Sequence, residues 1–167
     1  LARLPGLSLV AGLAAAGAIR AASGLDVRLK WPNDLWLDGR KLGGVLVEGS
    51  GEHADSARAV IGIGINMRMP EAVGITIDQP WIDLGGAGAA VGRQTLAVAV
   101  LAALLPALAR FEDEGLAPFL PGYAALDALA GRCVRVDPGA GDAYEAQACG
   151  IAADGGLRIR IDGGERV

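Results

Sequence analysis

RLKWPNDLWLDGRKLGGVLVEG, residues 28–49, decides the fold. Its first residues continue an alternation that starts at Val27. Val27, Leu29 and Trp31 point one way and Arg28 and Lys30 the other, the period of a strand with one face on a core. Pro32 holds Trp31 in extended geometry, and Asn33 and Asp34 are turn formers. LWLDGRKLGGVLVEG is then a β-hairpin, with Asp38-Gly39 as the turn between two apolar arms. RAVIGIGINM, residues 58–67, supplies another strand. Together these segments predict a mixed or antiparallel sheet.

Helical patterns lie on both sides of the sheet segments. Residues 8–23 read as a helix capped by Ser8, preceded by Pro5-Gly6 and ended by Gly24. It is apolar nearly all round and belongs under other structure. Residues 70–93 carry Gly and Pro without a strong period and read as a loop with a short turn around QPWIDL. The longest helix spans 94–114, with Glu112, Asp113 and Glu114 at the end where acidic groups oppose the macrodipole, and a shorter one covers about 116–128. After Gly131 the pattern changes to short alternating strands, RCVRVDP, AYEAQACGIAAD and LRIRID, joined by Pro-Gly and Gly-Gly turns. The expected fold is α+β: a mixed or antiparallel sheet with packed helices over residues 1–130, and a small β-barrel or β-sandwich appendage over 131–167.

Composition narrows the class. Of 167 residues, 52% are hydrophobic and 20% charged, enough for a sizeable core and too apolar for disorder. Aromatic residues are only 4%, so Ala, Gly, Leu and Val do most of the packing. The net charge of −4 leaves no basic excess to displace counterions from phosphates, which argues against non-specific nucleic-acid binding by this segment. Cys133 and Cys149 are too few for a disulfide framework, and His53 has no metal-ligand partner motif. No metal site is expected, and a reducing cytoplasm is the simplest setting. LAVAVLAALLPALA, residues 96–109, is too short and too interrupted for a membrane span, and it and LSLVAGLAAAGA read as buried helices of a soluble protein. The chain begins at Leu1, not methionine, and reads as a piece of something longer.

Two glycine patterns carry candidate chemistry. In VIGIGIN, Ile61, Ile63 and Ile65 share one strand face, while Gly62, Gly64 and Asn66 share the other. Glycines inside a strand mark a close approach. The visitor is either a ligand on a groove floor, with Asn66 offering donors and acceptors, or a tightly packed helix. Lys41-Leu42-Gly43-Gly44 has the same duality. Lys41 and Gly43 are expected on one face, with the lysine either serving a bound phosphate or solvated at the base of a hairpin. Asp34 either orients a lysine, binds a metal held by substrate phosphates, or caps a turn.

KWPNDL, RKLGGVLVE and VIGIGINM occur in this order with short spacers, and together they resemble the catalytic core of biotin–protein ligases. FEDEGLAPFLPGY and the closing GIAADGGLRIRIDGGERV are similar to the same family, whose core is class II synthetase-like and carries a small C-terminal SH3-like barrel. The resemblance implies two steps. Biotin and ATP, with Mg²⁺, form biotinyl-5′-adenylate and pyrophosphate; a lysine of the biotin carboxyl carrier protein of acetyl-CoA carboxylase then attacks the mixed anhydride. It implies that Lys41 contacts the biotin carboxylate and α-phosphate and acts with Asp34 in catalysis. It also implies that Lys30, Trp31, Asn33 and Asp34 organise the nucleotide end, that Gly43, Gly44, Gly62 and Gly64 line the ligand site, and that Asn66 lies near the adenine. A homodimer fits the family. The family's GRGRxGR biotin loop is absent from these residues, so 1–130 is expected to be a catalytic domain without its N-terminal part, inactive or feeble alone. Lipoate ligases share the core and the adenylate chemistry, and some biotin ligases are also repressors, of which this chain would be the effector-binding half.

Overall fold

The computed structural model describes residues 4–50, 58–70, 74, 77, 79–139, 142–161 and 164–167; His53 and part of the 70–93 segment lie outside them. Helix α1 (Leu4–Ser23) starts a turn earlier than its Ser8 signal implied, with Pro5 in the first turn, where a missing N–H costs nothing. It stops at Gly24, whose φ of 74° places it in the left-handed region, and the Gly24 N–H donates to Arg20 O at 2.8 Å.

Four strands follow: β1 (Arg28–Lys30), β2 (Asp34–Leu37), β3 (Arg40–Ser50) and β4 (Arg58–Ile65). They form one sheet in the order β1-β2-β3-β4, antiparallel throughout. The β2–β3 turn is Asp38-Gly39, with φ of 50° and 75°, the left-handed pair that a tight hairpin requires. The inward residues of each strand meet α1. Leu29, Leu35, Leu37, Leu42 and Val45 are all at most 2% exposed, as are Val10, Ala15, Ala16 and Ile19 of the helix. The alanines let α1 lie close on the sheet, and this packing is the core.

Helix α2 (Arg93–Glu114) ends at Gly115, with φ of 73°. It packs chiefly against α1 and reaches the sheet through Leu104, which meets Ala11 and Val45. The expectation of a buried helix holds for one stripe only. Leu96, Val100, Leu104 and Phe111 are buried, whereas Val98, Leu101 and Leu105 are more than half exposed. A helix apolar on all sides does not reveal which stripe it buries. The short helical stretch after it is a 3₁₀ turn, Ala117–Phe119, running into α3 (Leu120–Leu126).

Among the described residues the C-terminal strands number four: β5 (Cys133–Val136), β6 (Tyr144–Ile151), β7 (Leu157–Ile161) and β8 (Gly164–Arg166). They form a second antiparallel sheet in chain order, around buried Ala146, Ala148 and Ile159. A side-chain hydrogen bond ties the β6–β7 turn to the residue after β1. The Trp31 Nε1–H donates to Gly155 O at 3.0 Å. Asp127, 8% exposed, lies against β1 and accepts the Leu129 N–H at 2.8 Å, while burial pushes its carboxyl above the usual range.

Candidate active site

The two faces of the β3–β4 ladder are built for different purposes. Val45 pairs with Ile63 and Val47 with Ile61, and this face is covered by the helices. Gly44 pairs with Gly64 and Leu46 with Gly62, and this face is open. Gly62 and Gly64 are exposed, and a Cβ at either would meet nothing closer than 3.9 Å. The helices therefore pack on the isoleucines, and the bare glycine face is a floor without a roof.

Lys41 stands at one side of this floor. A bulge in β3 shifts the register: Leu35 faces Gly43, but Trp36 faces Lys41, so Leu42 is the extra residue. The expected sharing of a face by Lys41 and Gly43 is corrected by that bulge. The Lys41 Cε lies 3.6 Å from the place of a Gly44 Cβ, and Nζ is 2.7 Å from Asp34 Oδ1. Asp34 reaches the pair because it is opposite Gly44 on β2. The lysine side chain is 32% exposed and the aspartate 13%, so the cation faces the cleft and its counter-ion lies behind it.

The cleft has two lobes that share Lys41, Gly44 and Gly64. The first, about 510 Å³, is lined by Asn33, Asp34, Leu46 and Gly62 as well. The second, about 360 Å³, adds Asn66, Ile77, Gln79 and Trp81. The first lobe is a flat slot with an exposed Leu46 on its floor, and the second has an aromatic wall. Such an arrangement accepts a ligand with an apolar part, a negative centre at the lysine and a ring beyond it.

Gly43 has another job. It is buried, and a Cβ there would lie 2.2 Å from Gly64 O. Its lack of a side chain lets the floor strands approach. Gly43→Ala is expected to lower unfolding stability by about 3 kcal/mol through overpacking, measured by urea denaturation. A loss under about 0.5 kcal/mol contradicts the close approach.

The remaining predicted residues divide. Asn33 lines the first lobe, but its Nδ2 donates to Val45 O at 2.8 Å while its main-chain carbonyl accepts the Val45 N–H at 2.8 Å. It fixes the turn that presents Asp34. Asn66 lines the second lobe, yet its Nδ2 donates to Lys41 O at 3.3 Å and Ile82 O at 3.1 Å. Lys30 and Trp31 are not brought to the cleft. They line a neighbouring hollow of about 440 Å³ against the second sheet, where Lys30 Nζ lies 4.8 Å above the Trp36 ring.

Gln79 and Trp81 were not singled out from the sequence. Trp81 forms an isolated parallel bridge with Lys41, and its Nε1–H donates to Gly74 O at 3.0 Å. An aromatic residue in a glycine-rich loop of a chain with few aromatics was the available signal.

A larger groove of about 540 Å³ lies between the isoleucine face of β4 and α2, lined by Ile61, Ile63, Leu96, Val100 and Leu101, with Arg68 and Arg93 also in its lining. It is on the far side of the sheet from Lys41. Among the described residues no group of three or more His, Cys, Asp or Glu is placed to hold a metal.

The family model of the biotin/lipoate A/B protein ligase family matches residues 1–66. The bifunctional ligase/repressor BirA of Escherichia coli is 42% identical over 158 residues, covering 95% of this chain and 49% of that protein. The biotin–[acetyl-CoA-carboxylase] ligase of Paracoccus denitrificans is 32% identical over 170 residues, covering 96% of this chain and 69% of that protein. Among solved structures, the biotin protein ligase of Aquifex aeolicus in complex with biotin and ATP superposes with a TM-score of 0.81 at 24% identity, over 98% of this chain and 68% of that chain, a likeness of fold. The chain spans about half the length of the Escherichia coli relative.

Proposed function

The chain belongs to the biotin protein ligases of the biotin/lipoate A/B protein ligase family, and from that premise we propose that it activates biotin with ATP and passes the biotinyl group to a lysine of the biotin carboxyl carrier protein of acetyl-CoA carboxylase. The observation that carries the reading is the Lys41–Asp34 pair, 2.7 Å apart, beside an open floor made of Gly44, Gly62 and Gly64.

In the first step a biotin carboxylate oxygen attacks the α-phosphorus of ATP, and pyrophosphate leaves. Two anions must come together, and negative charge builds on the α-phosphate oxygens. A fixed ammonium lowers both costs, because its charge is already placed and partly desolvated. Lys41 takes this role, and Asp34 holds its side chain over Gly44. The bare floor lets the acyl phosphate lie against main chain. The biotin end occupies the lobe with Leu46, and the nucleoside the lobe with Trp81 and Gln79. In the second step the carrier lysine, as a neutral amine, attacks the acyl carbon and AMP leaves; Lys41 stabilises the departing phosphate.

Mg²⁺ binds through one or two carboxylates together with substrate phosphates. Asp34 supplies one carboxylate beside the cleft, so a Mg²⁺ brought with ATP has a protein neighbour there. The ion would neutralise phosphate charge as pyrophosphate leaves.

The division at residue 130 belongs to the same reading, with residues 131–167 as the small SH3-like domain and the earlier residues as part of the catalytic domain. Among the described residues β4 has a neighbour on one side only in the sheet, and its isoleucines line the apolar groove under α2.

Biotin-dependent exchange of labelled pyrophosphate into ATP tests the proposal on a protein that carries this chain together with the family's GRGRxGR biotin loop. Exchange with biotin and none with lipoate is expected. Exchange with lipoate alone moves the assignment to the lipoate branch, and no exchange with either acid overturns it.

A further inference from the structure

The second lobe is walled by a segment that belongs to neither sheet. Pro80 O accepts the Lys41 N–H at 2.9 Å, and the Ile82 N–H donates to Lys41 O at 3.0 Å, so residues 80–82 run as a rail along the end of β3. The rail is tied to the end of β4 as well. The Leu84 N–H donates to Asn66 O at 2.9 Å and the Gly85 N–H to Met67 O at 3.0 Å. Trp81 and Gln79 ride on this rail and line the lobe.

Asp83 lies one residue beyond the section paired with Lys41. It is 8% exposed, and Lys41–Asp34 is the ion pair at the cleft, not Asp83. Its two oxygens are both engaged by main chain: Oδ2 accepts the Met69 N–H at 2.6 Å and Oδ1 the Gly86 N–H at 2.5 Å. Charge-assisted bonds of this length are strong and directional. Burying a carboxylate is costly, so these two bonds must offset its desolvation. What they achieve is local: one carboxylate joins the chain after β4 to the turn after the rail, and closes the loop on which the wall depends.

We propose that Asp83 is a positioning residue for the nucleotide, acting through the rail to hold Trp81 and Gln79 at the correct distance from Lys41. The inference rests on the ligase reading and concerns the ATP half of the cleft, because Lys41 is the one residue of the biotin lobe that the main-chain bonds of the rail reach, whereas Trp81 and Gln79 line the second lobe alone. Asp83 does not itself line the lobe.

The test uses the same loop-bearing protein and compares Asp83→Ala and Asp83→Asn with the parent in biotin-dependent pyrophosphate exchange, varying ATP and biotin separately and recording Tm. Asp83→Ala is expected to raise KM for ATP about tenfold while KM for biotin and kcat stay within about threefold. Asp83→Asn keeps one acceptor oxygen and should fall between the two. Equal rises in both KM values, or an unchanged KM for ATP in a folded variant, overturns the proposal. So does an Asp83→Asn chain that fails to fold, which would make the residue a general folding determinant. No exchange in the parent overturns the ligase reading first, and this one with it.

Discussion

Lys41→Ala is expected to reduce biotin-dependent pyrophosphate exchange by about a hundredfold or more. An ammonium and a phosphate oxygen roughly 4 Å apart interact by about 4 kcal/mol at an effective dielectric of about 20, and the loss of one placed charge commonly costs a few kcal/mol of barrier. The substitution also strands Asp34, whose side chain is 13% exposed and loses its partner at 2.7 Å. A negative charge is then left facing the incoming phosphates, so the variant suffers both a lost attraction and a new repulsion. Lys41→Arg should not restore the rate. The lysine Cε already lies over Gly44, and a planar guanidinium there needs more width than a point charge does. Exchange by the alanine variant within about threefold of the parent rules Lys41 out as the catalytic cation.

Gly64→Val is expected to abolish adenylate binding while leaving the fold intact. The space permits a side chain: a Cβ at Gly64 would come no closer than 4.0 Å to Gly44 O, and the strand conformation suits a β-branched residue. The cost falls on the ligand, because two methyl groups would rise from the floor shared by both lobes. The contrast with Gly43→Ala is informative. Gly43 and Gly64 belong to the same pair of strands, but the first faces main chain at 2.2 Å and the second faces open space. One substitution should reduce stability and the other affinity, read by urea unfolding and by calorimetric titration with biotin and ATP. A folded Gly64→Val chain that binds both ligands like the parent contradicts the slot.

The sheet was legible because its signals are local. Asp38-Gly39 marks the hairpin, and the strict alternation of Ile61, Ile63 and Ile65 with Gly62 and Gly64 distinguishes the two faces of β4 before any contact is known. Which face the helices take was not legible, since both a ligand and a helix favour bare glycine. The Lys41–Asp34 pair was half legible. Both residues were singled out, but simple alternation put Lys41 with Gly43, and the bulge at Leu42 moved it to Gly44.

Asn33 and Asn66 were expected at the site from the motifs. Their donors serve Val45, Lys41 and Ile82 carbonyls, which strand periodicity does not reveal. Trp81 was read as part of a turn. Its place beside Lys41 depends on the main-chain bonds of Pro80 and Ile82, and main-chain groups carry no residue-specific signature. The buried stripe of α2 was hidden for a related reason: a helix apolar on every side fits several orientations, and packing against α1 selects one.

The central claim is that an acyl-adenylate lies on the bare face of β3 and β4 with its phosphate at Lys41. Amide ¹⁵N–¹H spectra of the full chain, titrated with a non-hydrolysable biotinyl-5′-adenylate analogue, test it most directly. The predicted result is that the largest shifts fall on Lys41, Gly44, Gly62, Gly64 and the Trp81 indole N–H. Shifts confined to Leu96, Val100 and Leu101 in the groove under α2, with the three floor glycines unmoved, would contradict it.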